Sequence, residues 1–150
     1  MPITVKSAAF GAGKPIPRKH TGEGEDVSPP LNWSGVPPQA KELALICDDP
    51  DAPRPKPWVH WVAYKIPAKA TSLAEGSAGG ALEGPNDFGN QGYGGPMPPP
   101  GHGTHHYHFK LYALDTELDL GPGANKEKLL KAVQGHVIAE GELVGTYERR

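Results

Sequence analysis

Residues 105–115 read HHYHFKLYALD. Apolar and polar side chains alternate through this run, which is the period of a β-strand with one face buried. His105, Tyr107, Phe109 and Leu111 share the face that meets a core, and His106, His108 and Lys110 share the face that meets water. Immediately before it stands GPMPPPGHGT, residues 95–104, with four prolines and three glycines. Prolines fix φ and glycines let backbone approach closely, so this segment is suited to a stiff, bent lip at the start of the strand. His105 is thereby set at the mouth of whatever the strand helps enclose.

Working outward, two more apolar runs have strand character, LALICD at 43–48 and WVHWVAYKIP at 58–67. They are separated by turn-rich segments such as SPPLNWSGVPPQA and EGSAGGALEGPNDFGNQGYGG. One segment predicts a helix over 125–134. Asn125 is placed to cap it, Leu129, Leu130 and Val133 recur at helical spacing, and Gly135 stops it. Strand character resumes in VIAEGELVGTYE, where Val137, Ala139, Leu143 and Tyr147 share one parity. The fold class expected is all-β with a minor helix: an antiparallel β-sandwich, one domain over residues 1–150, with loops gathered at one end. A connection as long as residues 68–104 is usually functional in a compact domain.

Composition narrows the function. With 15 Lys and Arg against 17 Asp and Glu, the net charge is -2. No basic face for nucleic acid is expected from such a balance. Cys47 is the sole cysteine, so neither an intramolecular disulfide nor a Cys-rich zinc cluster can form, and a reducing compartment is the simpler expectation. No apolar run suits a signal peptide or a bilayer span, so a cytoplasmic location without stable membrane insertion is expected.

The chemistry-bearing residues lie at strand ends. Asp48, Asp49 and Asp51 sit in DDPDAP, just after the strand LALIC, and His60 stands between Trp58 and Trp61. Taken singly each has an ordinary explanation: a histidine satisfied in the core, an Asp-Pro turn, tryptophans that pack. Together, Asp49, Asp51, His60, His105 and Tyr107 predict a polar rim between aromatic walls. Two other roles are open to such a cluster. Hydrolysis would use Asp and His as acid and base, but G-x-S-x-G is absent and Cys47 lies inside an apolar strand. A metal site would need converging ligands, and HGTHHYH divides its histidines between two strand faces. Neither a catalytic residue, a metal ligand nor a cofactor is assigned.

In combination, DDPDAP, WVHW and GGPMPPPGHGTHHYHFKLYALD resemble the phosphatidylethanolamine-binding protein family, in particular its bacterial and archaeal Raf-kinase-inhibitor-like branch. The resemblance extends over nearly the whole chain and implies a two-sheet β-sandwich with a small anion pocket at one end. It also implies ligand-binding roles for Asp49, Asp51, Pro53, Trp58, His60, Gly95, Pro96, Pro98, Pro99, His105 and Tyr107. His106 stands where the family's His-Arg-Tyr element has arginine, and by parity it faces away from the pocket. The function so implied is binding of a phosphorylated, otherwise anionic or zwitterionic headgroup, with a kinase or protease as a possible protein partner. Protonated His60 or His105 is the expected source of donors to the anion, so affinity is expected to fall as pH rises through about 6 to 8.

Overall fold

A computed structural model describes residues 2–149. The strands are β1 (Thr4–Lys6), β2 (Leu31–Ser34), β3 (Glu42–Asp49), β4 (Trp58–Pro67), β5 (Ser72–Leu73), β6 (Leu82–Glu83), β7 (His105–Leu114) and β8 (Val137–Tyr147), with helix α1 (Lys126–Val133) before β8. Two antiparallel sheets result, one in the order β1-β2-β5 and the other in the order β6-β4-β3-β7-β8.

β3 is buried along its whole length because both faces of the larger sheet are covered. Leu43, Leu45 and Cys47 enter the core between the sheets with Trp33, Trp61 and Phe109. Ala44 and Ile46 enter a second core under α1 with Leu129 and Val133. A strand buried on both faces reads as a continuous apolar run, as LALIC does. The pleat then sends the next two residues to opposite sides. Asp48 joins the helix side, where it accepts from Lys126 at 2.8 Å and lies 3.5 Å from Lys110. Asp49 joins the inter-sheet side.

β7 alternates as its sequence predicts, with residues 105, 107, 109 and 111 buried and the intervening ones open to solvent. Asn125 caps α1 by accepting from the Lys128 amide at 2.9 Å. Two expectations need correction. β2 lies inside a segment that reads as turns; only Leu31 and Trp33 alternate there, too short a signal among prolines. In β8 the pairing skips a residue between Ala113 and Leu114, which reverses the parity beyond Ala139 and leaves Val137 exposed.

The connection from 68 to 104 contains only the two short strands β5 and β6, yet it is tied down throughout. The Asn86 side chain accepts from the Phe88 and Asn90 amides and donates to Gly92 O. The Tyr93 hydroxyl donates to His20 O at 2.6 Å, and the Gly95 amide donates to Asp26 Oδ1 at 2.7 Å. Gly95 admits no side chain, since a Cβ there would stand 2.3 Å from His20 O. These bonds hold the proline-rich lip over one end of the larger sheet, where β3 ends and β4 and β7 begin.

Candidate functional site

At that end lies a cavity of about 200 Å³. β3 supplies Asp49, β4 supplies Trp58 and His60, β7 supplies His105 and Tyr107, and the two flanking loops supply Pro53, Pro98 and Pro99. These are eight of the eleven ligand-binding positions expected from sequence. A larger, open hollow of about 860 Å³ lies at the other end of β3, near Trp33 and Pro67; it holds two lysines and gathers neither carboxylates nor imidazoles.

The three remaining positions serve other ends. Asp51 turns outward, and its Oδ2 accepts from both the amide and Nδ1 of His106, each at 2.8 Å. That pairing lowers its pKa, against the opposing effect of its partial burial. Gly95 is held by Asp26 as described, and Pro96 O accepts from the Gly22 amide at 2.9 Å. Both shape the lip without lining the cavity. His106 is on the outer face, as its parity predicts.

The polar floor is a chain of hydrogen bonds. The Asp51 amide donates to Asp49 Oδ1 at 2.8 Å, and His105 Nδ1 lies 2.7 Å from Asp49 Oδ2, both side chains being buried. His105 Nε2 lies 2.6 Å from His102 Nδ1. Since a carboxylate only accepts, His105 Nδ1 carries a proton. Both nitrogens of His105 are therefore engaged inside the protein. His102 was missed by sequence reasoning, although it stands three residues before His105 on the lip. Ala52, Phe88 and Met97 also line the cavity and were missed. Phe88 and Met97 are 41% and 40% exposed, so they form an apolar rim.

His60 is nine-tenths buried or more, and its Nδ1 lies 2.7 Å from Gly94 O. A carbonyl oxygen only accepts, so Nδ1 is the protonated nitrogen and Nε2 of the neutral ring is an acceptor. Burial lowers the pKa of His60, and the Gly94 carbonyl and the charge of Asp49 offset only part of that effect. The neutral ring thus replaces the protonated donor expected from sequence. The edges of Tyr107 and Phe88 pack against it with ring centroids 5.0 and 5.3 Å away.

Two donors in the walls have no partner among the described residues. The Tyr107 hydroxyl and Trp58 Nε1 are buried without a hydrogen bond. Burial, then the charge of Asp49, raises the pKa of Tyr107, so the phenol stays protonated. An unpaired buried hydroxyl or N–H costs about 1–3 kcal/mol. Arg54 pairs with Asp87 and lies over the Trp58 ring, 4.6 Å from its centroid, and among the described residues no lysine or arginine lines the cavity.

A family profile described as phosphatidylethanolamine-binding protein matches residues 6–148. A UPF0098 protein of Methanothermobacter thermautotrophicus is 52% identical over 98% of this chain and 99% of its own length. Among solved structures, a phosphatidylethanolamine-binding protein homologue from Chlamydia trachomatis superposes with a TM-score of 0.93 at 44% identity, covering 99% of both chains. YbcL of E. coli, described as a member of the mammalian PEBP family, superposes with a TM-score of 0.92 at 35% identity, covering 100% of both.

Proposed function

Because the chain belongs to the phosphatidylethanolamine-binding protein family, we propose that it is a small binding protein whose end cavity takes a phosphorylated or otherwise anionic headgroup. The observation that carries this reading is the Tyr107 hydroxyl, buried in the cavity wall with no partner among the described residues. Buried polar groups are nearly always paired, and an exception lining a cavity is best explained by a ligand that accepts from it. Trp58 Nε1 is a second such donor. At about 200 Å³ the cavity is smaller than a typical pocket for a drug-sized molecule. It suits a headgroup, and the exposed Phe88 and Met97 suit whatever apolar body projects from it.

Binding rather than turnover is favoured by the same geometry. His105, the buried imidazole held by Asp49, has its other nitrogen occupied by His102, and although His60 Nε2 is free to accept a proton, no Ser, Thr or Cys nucleophile stands among the described lining residues. Contact with a kinase or protease would use the rim around the cavity, with the bound headgroup altering that surface. Titration calorimetry with inorganic phosphate and O-phosphoethanolamine tests the proposal. Millimolar or tighter binding that Tyr107→Phe weakens at least tenfold is expected, and no heat from either ligand up to tens of millimolar would overturn it.

A further inference from the structure

The lining side chains present a specific set of hydrogen-bonding roles. Tyr107 and Trp58 supply two donors without partners. His60 Nε2 supplies an acceptor, because Nδ1–H is committed to Gly94 O. The charged and titratable groups around His60 are Asp49 from β3, His105 and Tyr107 from β7, and the Arg54–Asp87 pair beside Trp58. Asp48 lies on the other side of the sheet, held by Lys126 and Lys110. Asp49 is already served by the Asp51 amide and His105, and among the described residues no lysine or arginine lines the cavity to offset a doubly charged guest, Arg149 Nε being held at the lip by Pro98 O.

A dianion without a proton would meet the buried carboxylate with only two neutral donors and would set its oxygens against the lone pair of His60. A phosphoryl group that keeps a P–OH and carries a single negative charge matches every role. We propose that the cavity selects phosphate and phosphomonoesters as monoanions that keep a P–OH, which donates to His60 Nε2 while the other oxygens accept from the Tyr107 hydroxyl and Trp58 Nε1. This deepens the anion-site reading and rests on it. Sulfate has nearly the same shape but carries no proton near neutral pH, and a phosphodiester has no P–OH to give. Both should be rejected by the lone pair of His60 Nε2.

The test is calorimetric titration at about pH 5.5, where a phosphomonoester keeps most of its second proton, with four probes: inorganic phosphate, sulfate, O-phosphoethanolamine and glycerophosphoethanolamine. Phosphate should bind at least about tenfold more tightly than sulfate, and the monoester at least about tenfold more tightly than the diester, as expected for a buried acceptor left facing an anion. Monoester affinity should fall close to tenfold per pH unit once the second phosphate proton, with a pKa of about 6, is lost. His60→Gln should narrow the difference between phosphate and sulfate, whereas Tyr107→Phe should weaken both alike and leave their ratio intact. Sulfate or the diester binding within about threefold of its protonated counterpart would overturn the proton-donor inference and leave the anion site standing. Failure of phosphate and the monoester to bind at all would overturn both.

Discussion

Tyr107→Phe should move stability and binding in opposite directions. The substitution removes one oxygen and keeps the ring, so the edge-on contact with His60 at 5.0 Å and the packing in the inter-sheet core persist. The oxygen removed has no partner. Burying an unpaired polar group costs about 1–3 kcal/mol, so its loss should stabilise the unliganded protein by about 1 kcal/mol or more. For a chain of this size 1 kcal/mol corresponds to about 2–4 °C in melting temperature. In the complex the same hydroxyl donates to an anion, and losing a hydrogen bond to a charged group costs about 1.5–3 kcal/mol, or about 10- to 150-fold in affinity. The assay is urea denaturation of both proteins in a buffer free of phosphate, followed by the same measurement with ligand added. The exclusion of phosphate matters because a ligand at 100 times its dissociation constant adds about 2.7 kcal/mol to the native state and would mask the effect. A variant destabilised by more than about 0.5 kcal/mol without ligand would refute the reasoning, since the hydroxyl must then have a partner that the geometry lacks.

On the reverse face, Asp48→Ala should destabilise by about 2 kcal/mol, less than the 3–5 expected for a fully buried pair because Lys110 can turn to water, and phosphate affinity should not change; denaturation and calorimetry on one preparation check both. His60 has its folded pKa lowered by burial, so the unfolded chain binds the extra proton first: its contribution to stability is present above the unfolded value of about 6.5 and is lost as pH falls from there through the folded value. Urea midpoints measured from pH 8 to 5 should therefore fall more steeply for the wild type than for His60→Gln, and parallel curves would remove His60 as a contributor. Gly95→Ala would push a Cβ to 2.3 Å from His20 O and 2.8 Å from Thr21 Cα, both backbone atoms. The lip must shift, at a cost of about 1–3 kcal/mol in stability, with weaker anion binding read by calorimetry.

The parts of the fold that could be read from the sequence are those where periodicity is sustained. β3, β4, β7 and α1 each carry enough apolar residues in register to declare themselves, and their order with the flanking loops implied a sandwich. β2 and β5 are two to four residues long and owe their existence to pairing with one another, a long-range contact that no local pattern encodes. The site divides in the same way. Asp49, His105 and Tyr107 could be found because strand ends and strand parity place them, and His60 because it stands between Trp58 and Trp61 in a motif that resembles the family's. Phe88 and Met97 could not, since they reach the cavity from a loop whose path depends on bonds to distant groups such as Asp26, His20 and Val59. His102 gave a partial signal, a histidine on a stiff lip three residues from the strand, but its bond to His105 is a matter of loop geometry. The tautomer of His60 was hidden for a related reason: it is set by Gly94 O, thirty-four residues away.

Asp48 and Asp49 show how little residue type alone decides. They are adjacent, chemically identical and both buried. The pleat turns one carboxylate toward Lys126, where it anchors α1 to the sheet, and the other toward His105, where it forms the floor of the cavity. Asp51, two residues further on, has left the strand; its amide still serves Asp49, but its carboxylate serves His106 at the surface. Position at the strand end groups Asp51 with Asp49, which is why the sequence reading counts it with the cavity. The turn that begins after Asp49 breaks the alternation, so the carboxylate that a ligand meets is one rather than two. A single buried carboxylate, already hydrogen-bonded by a histidine and a backbone amide, is compatible with a monoanionic guest. Two would have required a cation in the walls, and the lining residues provide none.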